Sequence, residues 1–179
     1  APARRRRREA PRVEVSRSEN VAYDVGYVSG REATVIGVNW NFDPCADIIM
    51  IWRTIIINTR AYGSTAESVI KYTTAYLKGL NESEIIDCIK HFPGDGVDER
   101  DQHLLMTVNT LSPEEWDNTF GKVYKHHIDN GIKTIMAGHI ALPKYQKLIN
   151  PDLTDEEIIE EIMPATLSPE LIIKLLKKR

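Results

Sequence analysis

Apolar positions along this chain follow two periods, and the two alternate. From Asn20 to Ile36, Val21, Val25, Val28 and Val35 share one face with Glu32, at the three-to-four-residue spacing of an amphipathic helix. Asn20 is placed to cap it and Gly37 to end it. Val38 to Phe42 reads as a short strand, and residues 43–64 as a long connection. The helical period returns over Ala66 to Leu80, with Val69, Ile70, Tyr76, Leu77 and Leu80 inward. The apolar run Ile85-Ile86-Asp87-Cys88-Ile89 reads as a buried strand. The third helix is the best marked. Ser112 caps it, Pro113 sits at its first position, and Glu115 completes a capping box. Trp116, Phe120, Val123 and His127 form its inner stripe, and Gly131 closes it. Ile132 to Ala137 is the third strand. Thr154 with Glu157 caps another helix, and Ser168-Pro169 opens the last, running to Arg179.

The predicted order is therefore α, β, α, β, α, β, α, α. Strands alternating with helices specify an α/β fold with a parallel sheet and right-handed crossovers. The length of 179 residues suits one domain with a real core. No fixed-period repeat is present.

Charge divides the chain. Residues 1–20 hold seven Arg against three Glu, a net +4, so the rest carries −7 of the overall −3. An acidic folded part argues against nucleic acid as the main partner. The run Arg4 to Arg8 has no accompanying aromatic or amphipathic helix, and residues 1–19 read as a solvated basic tail. Cys45 and Cys88 give neither a disulfide framework nor metal spacing. No apolar run reaches membrane-spanning length, and nothing apolar follows the arginines as a signal peptide requires. The expectation is a cytoplasmic protein without membrane partners.

The chemistry concentrates in Lys90 to His103. A buried strand ends there in a cation, an imidazole, Pro93, Gly94 and Gly96, and strand ends are where α/β sheets place their sites. The loop closes on Asp101-Gln102-His103. A carboxylate two residues from a histidine can fix one tautomer and raise its basicity, the wiring of a general acid/base. A metal reading of His91, Asp95, Asp98, Asp101 and His103 fails on spacing, since neither HExxH nor an EF-hand pattern is met.

Lys90-His91-Phe92-Pro93-Gly94, a short loop and then Asp-x-His resembles the signature of glycoside hydrolase family 3, in its bacterial β-N-acetylglucosaminidase branch. Four further blocks agree in order: Gly37 to Pro44 with Asp47, Asn58 to Gly63, Met136 to His139, and Ala165 to Pro169. The resemblance covers residues 20–179 and implies a (β/α)8 TIM-type barrel, here incomplete: opening strands would precede residue 20, and the strand with the nucleophilic Asp would follow residue 179. It further implies retaining hydrolysis of terminal β-linked N-acetylglucosamine without a cofactor. His103 would be the acid/base and Asp101 its partner, with Arg60, Lys90 and His91 on the sugar and Asp47 in a supporting role. Some relatives pass the sugar to phosphate instead of water. The other reading is a non-catalytic barrel fragment that self-associates through open edges. Two departures stand out. Six isoleucines crowd residues 48–57, where relatives are polar, and Asp95 stands where many have His.

Overall fold

The computed structural model describes residues 18–177; the expected basic tail, apart from Ser18 and Glu19, lies outside them. The elements run α1 (Glu19–Val35), α2 (Ala66–Asn81), β1 (Cys88–Phe92), β2 (Thr107–Val108), α3 (Pro113–Trp116), a π-helical turn (Asp117–Gly121), α4 (Lys122–Asp129), β3 (Thr134–Ala137), β4 (Ile140–Ala141), α5 (Pro143–Ile149), α6 (Asp155–Glu160) and a last π-helical segment (Glu170–Leu176).

Helix α1 forms where expected but is capped by Ser18, whose side chain accepts from the Val21 N–H. Its buried residues are Ala22, Gly26 and Gly30, not the valines; Val35 is 85% exposed. The reason is close packing on α2. A Cβ added at Gly26 would lie 2.0 Å from the Tyr76 carbonyl oxygen, and one at Gly79 would lie 2.1 Å from that of Tyr23. The small-residue face lets two backbones touch, and that contact outweighs the valine face. Helix α2 has a reciprocal cap between Thr65 and Ser68, and Val69, Tyr76, Leu77 and Leu80 are buried as predicted.

The second strand is shifted from its expected place. The sequence pattern puts it at 85–89, but β1 is Cys88–Phe92, so Lys90 and His91 lie within it. Pairing sets this register: β1 lies parallel to β3, with Cys88 opposite Thr134, Lys90 opposite Met136 and Phe92 opposite Ala137. The polar Asp87 stays outside the strand and is satisfied by the Lys133 N–H at 2.8 Å and Asn81 Nδ2 at 3.0 Å. The strand expected at 38–42 is reduced to parallel bridges from Trp40 to Ile86 and from Cys45 to Lys90. They lay the 40–45 segment along β1. A second parallel pair, β2 with β4, and helix α5 carried no recognisable period. All pairing among the described strands is parallel, in two separate two-stranded sheets, β1 with β3 and β2 with β4.

Helices α3 and α4 continue one another through the π turn, with Trp116, Phe120, Val123 and His127 all buried. Trp116 Nε1 donates to the Pro93 carbonyl at 2.6 Å, which ties this helix to the end of β1. The isoleucine stretch is turns rather than a strand: Ile48 and Ile57 are buried, and Ile55 is exposed.

Candidate active site

Beneath the C-terminal end of β1 lies the fully buried carboxylate of Asp47. Its Oδ1 accepts the main-chain N–H groups of His91 (3.1 Å) and Asp95 (2.8 Å). Its Oδ2 meets His91 Nδ1 at 2.8 Å and accepts from the Cys45 thiol at 3.1 Å. Burial alone would raise its pKa, but the His91 charge and these hydrogen bonds hold it below the ordinary carboxylate value. The carboxylate orients the His91 ring and leaves Nε2 for other contacts. Burial, followed by Asp47, pushes the Cys45 thiol well up. The donor atoms of Cys45, Asp47 and His91 lie within 4.8 Å of one another, a spacing that could hold a metal ion. Four donors already surround the carboxylate, however, so the cluster is complete as a hydrogen-bond network.

Lys90 Nζ donates to the Phe42 carbonyl and pairs with Asp43 at 3.1 Å. Asp43 was not picked out from the sequence; its place in the Asn41-Phe42-Asp43-Pro44 block was the available signal. In the loop, Asp101 Oδ1 accepts the main-chain N–H of His103 at 2.8 Å and lies 2.7 Å from its ring Nδ1. Those two contacts, the main-chain one first, lower the Asp101 pKa. The carboxylate holds Nδ1, so Nε2 is the ring atom left to give and take a proton. The His103 side chain is 66% exposed.

One cleft of about 1040 Å³ brings Arg60, Lys90 and His103 together with Asn41, Asp43 and Tyr62. His91 and Asp101 are outside its lining; Asp101 is bonded to the His103 ring, and His91 to Asp47. Asp95, noted in the sequence as a departure from the family pattern, is pushed up to about 6 by burial and then by Asp47. It accepts from Gln102 Nε2 at 2.8 Å.

Residues 11–179 match the glycosyl hydrolase family 3 N-terminal domain. The chain belongs to glycosyl hydrolase family 3. The match starts inside the stretch expected to be tail. Among family 3 relatives, a β-N-acetylglucosaminidase/β-glucosidase of Cellulomonas fimi is 45% identical over 152 residues, 85% of this chain and 26% of that protein. A solved structure of the β-glucoside phosphorylase BglX superposes with a TM-score of 0.88 at 42% identity, covering 92% of this chain and 29% of that one. NagZ from Neisseria gonorrhoeae, in complex with N-trifluoroacetyl-D-glucosamine, superposes at 0.75 with 25% identity over 91% and 42% of the two chains. The chain thus spans about a quarter to a third of the curated relatives it matches. Its parallel strand pairs and helices form an incomplete TIM-type barrel of the family 3 kind. Among the described residues no helix is long and apolar enough to cross a membrane.

Proposed function

We propose that the whole protein removes a terminal β-linked N-acetylglucosamine from a glycoside by a retaining double displacement. His103 protonates the leaving oxygen from Nε2 and then activates the incoming acceptor, while Asp101 stabilises the imidazolium. Arg60 offers a fork of donors to sugar hydroxyls. Lys90 adds the donor left over from Phe42 and Asp43, and His91, held by Asp47, supplies Nε2. The mechanism also needs a carboxylate nucleophile, which this reading assigns to the remainder of the whole protein. The observation that carries this reading is the His103 ring, tied through Nδ1 to Asp101, beside Arg60 and Lys90 in one cleft. The glycosidase names of the family 3 relatives support it.

In the whole enzyme, His103→Ala should lower turnover of a natural disaccharide by roughly 10²- to 10⁴-fold. The loss on a p-nitrophenyl glycoside should be much smaller, because that leaving group needs little protonation. Equal losses on both substrates would remove His103 from the acid role.

A second reading concerns the acceptor. A β-glucoside phosphorylase among the structural relatives favours it, and so does a cleft with Arg60, Lys90 and an imidazole acid/base instead of a carboxylate. An imidazole does not repel phosphate as a carboxylate would. Supplying phosphate to the reaction and assaying for the sugar 1-phosphate decides between hydrolysis and phosphorolysis.

A further inference from the structure

Gln102 sits between the two dyad residues in sequence, yet it points the other way. It is 5% exposed, while His103 faces solvent. Both ends of its amide are used. Oε1 accepts the main-chain N–H of His139 at 3.1 Å, and Nε2 donates to Asp95 Oδ2 at 2.8 Å. An amide whose oxygen meets an N–H must turn its NH2 toward the other partner, so Asp95 receives the donor end. Asp95 Oδ1 is taken by the Gly96 N–H at 2.7 Å, and the Asp95 N–H rests on Asp47. The slot is tight: a Cβ at Gly138 would come within 2.6 Å of Gln102 Oε1. The rest of the loop is tied within itself by Asp98 with Arg100 and Asp101 with His103, and outward by the Asp98 carboxylate, which accepts the Val108 N–H at 2.9 Å, and by an exposed Arg53–Glu99 pair at 3.6 Å. Leu104 and Leu105 beyond it are exposed.

We propose that Gln102 is a positioning residue for the Asp101–His103 dyad, pinning the dyad loop between Asp95 and the His139 main-chain N–H at the end of β3. This inference rests on His103 being the acid/base. Gln102 does not meet the substrate. It sets where the imidazole stands, and a displacement of about 1 Å there is enough to cost on the order of 10²-fold in rate.

The test inverts the hydrogen bond. Gln102→Glu keeps the acceptor for His139 but puts a carboxylate oxygen against Asp95 Oδ2. The two fit only while they share a proton. Asp47 lies beneath and opposes a second negative charge, His91 on β1 favours one when protonated, and the buried Tyr124 phenol is the remaining titratable neighbour. In the whole enzyme, kcat/KM of Q102E should fall at least ~10-fold further than wild type between pH about 5 and about 8. Protection of the His139 amide in Q102E, taken relative to wild type at each pH, should fall over the same range.

Asp95→Asn alone sets two NH2 groups face to face and should be defective throughout. The double variant D95N/Q102E reverses donor and acceptor, satisfies Gly96 and His139 as before, and should recover most activity without the alkaline loss. If Q102E tracks the wild-type pH profile, or the double variant is no better than the singles, the proposal fails. It also fails if His139 exchange responds while kcat does not. A wild-type enzyme without glycosidase activity would sink the functional reading instead, and the exchange measurements would still report on the pin.

Discussion

Asp95 and His127 are buried titratable residues that act on stability in opposite senses. Burial, with Asp47, pushes the Asp95 carboxyl up to about 6. Its contribution is therefore full below its unfolded value of about 4 and is lost as pH rises through about 6. Burial, with His126, pushes His127 down to about 4, beside a 2.8 Å contact between its Nε2 and Thr73 Oγ1. Its contribution is present above about 6.5 and is lost as pH falls through about 4. Each shift of roughly two units corresponds to about 3 kcal/mol at most, so between pH about 4 and about 6 the two largely cancel. His127→Gln should leave a protein that gains stability on acidification over that window, and Asp95→Asn one that loses it. Urea unfolding at the two ends of the window tests the pair, and slopes of the same sign would refute the assignment. At this scale the sequence was legible where contact is local. Asp101 and His103 are two residues apart, and a single turn brings them together. Asp47 meets His91 across 44 positions, and Gln102 meets the amide of His139 across 37; no spacing rule encodes either.

Helix α1 shows what periodicity conveys about an element and what it omits. The valine spacing predicted the helix and most of its length. It could not reveal that the opposite face, Ala22, Gly26 and Gly30, is the one that docks. Amphipathicity ranks faces by apolar area, whereas this contact depends on how closely two backbones approach. Gly26→Ala should therefore cost several kcal/mol, because the new Cβ meets a carbonyl oxygen at 2.0 Å. Gly37→Ala, with φ of 80° and nothing within 4 Å, should cost only about 1–2 kcal/mol of backbone strain. Thermal or urea unfolding of the two variants gives the comparison. Equal losses would mean that the helices can separate freely. The β1 register was likewise beyond reach of the apolar run, because β3 selects the pairing and the run alone does not.

For the whole molecule, apolar side chains beside the first strand pair and the end of α1 are left uncovered. Val35, Ile36, Val38, Trp40 and Phe42 are all exposed, and three of them line the cleft beside the 40–45 segment or the end of α1. Contiguous exposed apolar surface beside an unpaired strand edge favours association. The 179-residue chain should self-associate with rising concentration, and a charge at Val38 or Phe42 should reduce this. Light scattering on the chain and the two variants checks it; a monomer at all concentrations would show that the edge is protected. The α/β class was readable from alternation alone. The incompleteness of the barrel rested on the family resemblance, because no local pattern announces a missing neighbour.

The seam between α1 and α2 also limits how this protein can change by descent. The atoms that would obstruct a side chain at Gly26 or Gly79 are main-chain carbonyl oxygens, of Tyr76 and Tyr23. No second-site substitution can make a carbonyl smaller, so a mutation there has no suppressor among neighbouring side chains. The valine face of the same helix meets side chains or solvent and can drift together with whatever it touches. One helix thus carries a face closed to inheritance of change and a face open to it.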